Sequence, residues 1–271
     1  MTDSAPTSTL SGWAKAPFSG GGLTYDCYEK GSGPGVVLIP EIPGITPAVL
    51  GLADHLVDEG FTVVIPSPFG TPGKDDTTGY TLGVVARMCV TAEFRAFALD
   101  ANRPITAYLR AVAADLATRT PGRGVGVIGM CFTGGFALAT AVEPSVVAPV
   151  MSQPSTPFAV SGSRRSDPGL SQDELEQIVE RTRTDGLCVL GLRFSGDRMA
   201  PADRFATLRK HLGDAFEVIQ LDSAPGNPGG FGKAAHSVLT RELRDTPGNP
   251  ALAARARTVA FLREHLHATQ G

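Results

Sequence analysis

The chain has 271 residues, of which 42% are hydrophobic and 19% charged, and its formal net charge is −3. That length and composition suit one large globular domain, or two small ones, with an ample core. The mild acidity leaves no basic footprint for nucleic acid, no apolar run approaches the roughly 18 residues of a membrane span, and the four cysteines lack the Cys-x-x-Cys spacing of zinc or dithiol sites.

Residues 1–12 are rich in Ser, Thr and Pro and read as a flexible tail, which leaves 13–271 as a single domain. Met1–Leu10 lacks the apolar stretch of a signal peptide, so a reducing cytoplasm is the expected compartment. Leu23–Glu29 alternates as an edge strand does, and Gly31–Gly35 turns the chain. Val36–Ile39 is a continuous apolar run, the pattern of a central strand covered on both faces. A helix is predicted over Pro47–Glu59, with Thr46 as N-cap, Pro47 at its first position and Gly60 at its end. Strand Phe61–Ile65 leads into the breaker-rich Pro66–Gly73 loop and the polar stretch Lys74–Gly79.

Leu82–Leu99 is helical in composition but irregular, and Pro104–Ala117 is a cleaner helix. Val125–Ile128 reads as a short buried strand, Phe132–Ala141 as a helix and Val146–Met151 as another strand. Residues 152–170 are Ser/Pro/Gly-rich and read as a surface excursion; Ser171–Glu174 is a capping box opening a helix that runs to Thr184. Strand Leu187–Phe194, helix Pro201–Leu212, strand Ala215–Leu221, loop Ala224–Gly232 and helix Ala251–Leu266 complete the chain. This alternation predicts an α/β fold, a mostly parallel central sheet with helices on both faces, whose reactive groups gather at the carboxyl ends of the strands.

The residues just past the strands carry the chemistry. Gly129-Met-Cys131-Phe-Thr-Gly-Gly135 has the layout of a nucleophile elbow with Cys131 in place of the usual Ser. Such a turn exposes the sulfur and sets it near the positive end of a helix, which favours the thiolate. Glu41 follows the first central strand, Asp197 follows Leu187–Phe194, and His236 follows the Gly/Pro loop after Ala215–Leu221. The order nucleophile, acid, histidine is that of hydrolases with this fold, in which the base must reach the nucleophile and the acid must fix the base. Asp222 is a reserve acid, Ser237 reads as a helix cap, and Cys27, Cys89 and Cys188 read as packing residues.

Together, Glu41, the elbow around Cys131, Ser195-Gly-Asp197 and Ala235-His236-Ser237 resemble the dienelactone hydrolase family over roughly residues 20–267. The resemblance implies an α/β-hydrolase fold without a large cap, and hydrolysis of a small carboxylic ester or lactone by a Cys-His-Asp triad through a thioester. It gives Cys131 the role of nucleophile, His236 that of base and acid, and Asp197 that of orienting carboxylate. It also implies that Glu41 touches the resting thiol, and that the backbone N–H groups of Ile42 and Phe132 form an oxyanion hole, each donor worth roughly 3–4 kcal/mol in the transition state.

Three features depart from the family pattern. Thr133 stands where the elbow often has Gly and is expected to crowd and open it. Thr240 occupies the place of a carboxylate-binding arginine, with Arg241 beside it, and Arg87 is a loosely aligned candidate for the family's other substrate arginine. The segment after Val146–Met151 is also long, with room to shape a pocket or an oligomer contact. No metal or organic cofactor is expected, the partner is a small-molecule substrate, and the assembly is expected to be a monomer or homodimer. Two other readings stand beside hydrolysis: a thiol-dependent acyl transferase or redox-sensing thiol protein, and a catalytically silent ligand-binding protein of the same fold.

Overall fold

Six parallel strands form the centre of the molecule: β3 (Gly35–Ile39), β4 (Thr62–Pro66), β5 (Val125–Met130), β6 (Val146–Ser152), β7 (Val189–Phe194) and β8 (Phe216–Leu221). The computed structural model describes residues 5–90, Phe94 and 103–267. β1 (Ala14–Gly20) and β2 (Leu23–Lys30) add antiparallel to one side, giving the order β1-β2-β4-β3-β5-β6-β7-β8.

The apolar runs explain the sheet. β3, β4, β5 and β7 are buried at every residue, as strands covered on both faces must be. Successive side chains point to opposite faces, so Val37 and Ile39 enter one core while Val36 and Leu38 enter the other. The first core is closed by α3 (Pro104–Arg119), α4 (Gly134–Thr140), α6 (Gln172–Thr184) and α7 (Ala202–Leu212). The second is closed by α1 (Pro47–Asp58) and α8 (Pro250–Leu266). A further helix, α2, spans Thr78–Val90, and a short one, α5, spans Gly162–Ser166. Among the described residues there is no large cap domain, and no helix is long and apolar enough to cross a membrane.

The predicted local signals are met where side chains cap or break the chain. Thr46 Oγ1 accepts the Val49 N–H at 3.3 Å, and Gly60 leaves α1 at φ 91°. The Ser171 capping box is formed with Glu174, whose carboxylate receives the Ser171 N–H at 2.9 Å. The second strand is not an edge, however. β1, mostly exposed, pairs with it along its whole length, and Pro17 together with the small alternating residues Ala14 and Ala16 gives it a weak strand signal. The helix expected over Leu82–Leu99 starts earlier, at Thr78, and its stretch past Val90 lies outside the described residues apart from Phe94. Part of the segment expected to be a tail lies against α1: the Ser8 N–H donates to the Pro47 carbonyl at 2.9 Å, and a Cβ on Gly51 would meet the Pro6 carbonyl at 2.3 Å.

Candidate active site

The turn after β5 carries Cys131 at φ 53°, in the left-handed region that a residue with a side chain rarely adopts. Small residues make the turn possible. A Cβ on Gly129 would meet the Thr133 carbonyl oxygen at 2.3 Å, and one on Gly134 would meet Pro154 Cα at 2.6 Å. Thr133 does not open the turn as its bulk suggests. Its buried hydroxyl accepts the Met130 N–H at 3.0 Å and faces the carbonyls of Met130, Ile39 and Pro40 at 2.9, 3.1 and 3.2 Å. The elbow is therefore closed by a side chain rather than by a bare glycine.

Asp197 and His236 come from loops after β7 and β8 and meet at the same rim. Asp197 Oδ2 lies 2.6 Å from His236 Nδ1. The other carboxylate oxygen accepts the backbone N–H groups of Met199 at 2.9 Å and Ala200 at 3.2 Å, which fixes its orientation. The Asp197 side chain is only 3% exposed and that of His236 12%, so the pair is shielded from water. Burial by itself lowers the His236 pKa, but the Cys131 sulfur and the Asp197 carboxylate outweigh it and hold the ring well above the ordinary imidazole value. His236 Nε2 is buried and makes no hydrogen bond of ordinary geometry among the described residues. Asp222, the reserve acid, is instead engaged by the Ser195 hydroxyl at 3.2 Å and the Ala224 N–H at 2.9 Å.

Glu41 is buried and does not hydrogen-bond to the thiol. Its carboxylate accepts the Ser237 hydroxyl at 2.8 Å, the Thr240 hydroxyl, and the Gln153 amide at 3.4 Å. Ser237 is thus no helix cap; it ties the loop of His236 to the end of β3. Thr240 is 1% exposed and serves the same carboxylate, whereas Arg241 turns outward to Asp76 at 2.6 Å. Gln153 bridges both loops, because its carbonyl oxygen also accepts the Val238 N–H at 3.3 Å, and it does so from φ 35°.

Sequence reasoning missed this role for the segment after β6, which reads as a surface excursion. Ser155 donates its N–H to the Cys131 carbonyl at 2.9 Å, and its hydroxyl lies 3.6 Å from the sulfur. The Thr156 hydroxyl donates to the Phe132 carbonyl. The only available signal was position: Gln153-Pro-Ser-Thr156 begins two residues past a predicted strand end, Met151.

Ile42 and Phe132 follow neighbouring strands, β3 and β5, whose ends pair at Ile39 and Gly129, so both backbone amides belong to this rim. The Phe132 ring joins Phe69 edge-on at 6.2 Å, and Phe69 lines a cavity of about 590 Å³ with Ser67, Tyr80, Val84, Arg87 and Met88. Arg87 is therefore a cavity residue on an exposed helix face. Cys27 is buried against Tyr108 at 3.3 Å, and Cys188 is partly exposed. The Cys89 side chain lies outside the described residues.

The dienelactone hydrolase family profile matches residues 23–266. The chain belongs to the dienelactone hydrolase family. The solved structures similar to this family member include a candidate dienelactone hydrolase from Klebsiella pneumoniae, at 19% identity and TM-score 0.61, covering 93% of this chain and 98% of that one. A dienelactone hydrolase from Anabaena variabilis has 15% identity and TM-score 0.59, with coverages of 94% and 98%. A lidless α/β serine hydrolase from Xanthomonas campestris has 13% identity and TM-score 0.54, with coverages of 96% and 97%. At such identities the likeness establishes the α/β-hydrolase fold. No curated protein matches the chain.

Proposed function

We propose that this member of the dienelactone hydrolase family hydrolyses a small carboxylic ester or lactone through a Cys131-His236-Asp197 triad. The observation that carries this reading is the 2.6 Å contact between Asp197 and His236 at the rim where Cys131 stands at positive φ. A raised His236 pKa favours an imidazolium beside a thiolate, the pairing that a sulfur nucleophile requires. The sulfur attacks the substrate carbonyl carbon, and the N–H groups of Ile42 and Phe132 receive the developing oxyanion. Collapse breaks the C–O bond, and His236 gives its proton to the departing alkoxide, which stays tethered when the substrate is a lactone. Water then loses a proton to His236 and attacks the thioester, and the electron pair of the C–S bond returns to sulfur. Glu41 acts from behind, holding the His236 loop through Ser237. Arg87 meets the polar end of a substrate lodged in the adjoining cavity.

The test is an ester and lactone panel of varied chain length and ring size, with and without a free carboxylate, run on the wild type, Cys131→Ala and Arg87→Ala. Cys131→Ala is expected to remain folded and lose turnover, while mass spectrometry of quenched wild type shows an acyl group on Cys131. Undiminished turnover by Cys131→Ala would sink the reading. Products of acyl transfer to an added alcohol in preference to water would replace hydrolysis with transfer at the same sulfur.

A further inference from the structure

The proposed hydrolysis leaves one polar neighbour of the sulfur without a task. Ser155 is 2% exposed, its hydroxyl lies 3.6 Å from Cys131 Sγ, and among the described residues that hydroxyl has no other hydrogen-bond partner. The segment that bears it is held from several directions. The Ser155 N–H is bound to the Cys131 carbonyl at 2.9 Å, and the neighbouring Thr156 hydroxyl is bound to the Phe132 carbonyl. Arg204, fully buried, donates to the carbonyls of Pro154 at 2.6 Å and Pro157 at 2.7 Å on either side of Ser155. The hydroxyl is therefore placed before a ligand arrives, at no cost in ordering when the reaction starts.

The chemistry of the two groups sets the direction of the bond. A thiol can donate or accept, but a thiolate only accepts, and a serine hydroxyl keeps its proton at any pH at which the protein is folded. Once the sulfur is ionised, Ser155 is the donor. Charged groups around this rim are His236 and Asp197 after β8 and β7, Glu41 after β3, and Arg204 beneath from α7.

We propose that Ser155 is a catalytic residue of this site, whose hydroxyl donates a hydrogen bond to the Cys131 thiolate before attack and again as the sulfur leaves the thioester. No proton leaves Ser155 at either step; its bond to sulfur loosens as the C–S bond forms and returns as that bond breaks. The catalytic role rests on the hydrolytic reading above, whereas the contact with the thiolate can be measured without turnover.

The experiment is alkylation of the full chain by iodoacetamide across pH, with the modified site read by mass spectrometry at Cys131, in the wild type, Ser155→Ala and Ser155→Thr. In Ser155→Ala the rate near pH 6 is expected to fall about fivefold to tenfold, and the difference from the wild type is expected to shrink as the pH is raised. Ser155→Thr keeps the hydroxyl and retains the wild-type profile. For a neutral ester, Ser155→Ala is expected to lower kcat by a similar factor with KM little changed. A Ser155→Ala alkylation profile that overlays the wild type, or one lowered equally at every pH, would overturn the proposal. Turnover surviving in Cys131→Ala would remove the hydrolytic reading and leave the alkylation result as a separate fact.

Discussion

The hydroxyl of Thr133 reaches the carbonyl of Ile39 at 3.1 Å, from the turn after β5 to the end of β3. The same oxygen accepts the buried Met130 N–H at 3.0 Å, so one side chain joins the proposed nucleophile's turn to the strand that precedes Glu41 and Ile42. Thr133→Val keeps the shape and removes the hydroxyl. It is expected to cost about 1–3 kcal/mol, since it leaves a buried N–H unpaired, and to lower kcat at least tenfold. Denaturant unfolding and steady-state kinetics check both; an unchanged kcat would show that the turn holds its geometry without Thr133.

The Asp197–His236 pair makes a signed prediction about pH. The His236 pKa is raised in the folded chain, so the stability it contributes is complete below the unfolded value near 6.5 and is lost as pH rises through the raised one. Asp197→Asn is expected to bring the alkaline limb of kcat/KM down toward that unfolded value, to flatten the loss of stability above it, and to reduce kcat by roughly 10²-fold or more. An alkaline limb unmoved by the substitution would separate Asp197 from His236.

Glu41 is a buried carboxylate met by three neutral donors, Ser237, Thr240 and Gln153. Glu41→Gln places an NH₂ group against those donors. It is expected to destabilise the chain by about 1–3 kcal/mol and to lower kcat, while alkylation of Cys131 stays within about twofold, because the carboxylate does not hydrogen-bond to the sulfur. A large fall in alkylation would restore a direct role for Glu41 at the thiol.

Arg204 is fully buried and donates to four carbonyls, those of Asp167, Pro154, Pro157 and Arg164. Burial, with Arg103 nearby, pushes its pKa down to about 10 despite the pull of Asp167. Arg204→Met fills much of the volume but leaves the carbonyls unpaired, so a loss of about 3 kcal/mol or more is expected. Urea unfolding measures it, and a loss below about 1 kcal/mol would mean that the segment over Ser155 does not depend on this side chain.

Cys27 and Tyr108 form a second buried pair, 3.3 Å apart, and burial raises the pKa of both. The folded chain therefore keeps these protons longer than the unfolded one, and stability is expected to fall as pH rises past the ordinary cysteine value near 8.5. The Tm of the wild type should drop more steeply between about pH 8 and pH 10 than that of Cys27→Ala. Equal slopes would assign alkaline unfolding to other groups.

Much of the site was readable because strand ends and turn residues are local. The run Val125–Ile128, the Gly129-x-Cys131 turn, and the order of Asp197 and His236 each stand within a few residues of a strand signal. β1 was not read as a strand, since its alternating positions are mostly small and exposed, Ala14 and Ala16 before Phe18, and Pro17 interrupts them. Ser155, Gln153 and Arg204 were not readable either. Ser-Gln-Pro-Ser-Thr-Pro has the composition of a loop, and its importance comes from bonds to Cys131, Glu41, Phe132 and Arg204, which are distant in sequence.

The amino-acid order alone determined most of the central strands and the helices that cover them, that the sheet is mostly parallel, and which rim bears the reactive side chains, because periodicity and turn chemistry act over a few residues. The tertiary structure decided the partners. It bound Glu41 to Ser237, Thr240 and Gln153 rather than to the thiol, paired His236 with Asp197 rather than Asp222, and brought Ser155 to the sulfur. Those choices depend on how neighbouring strand ends pack together and on which buried polar atoms must find a partner there, and no single stretch of the chain contains that information.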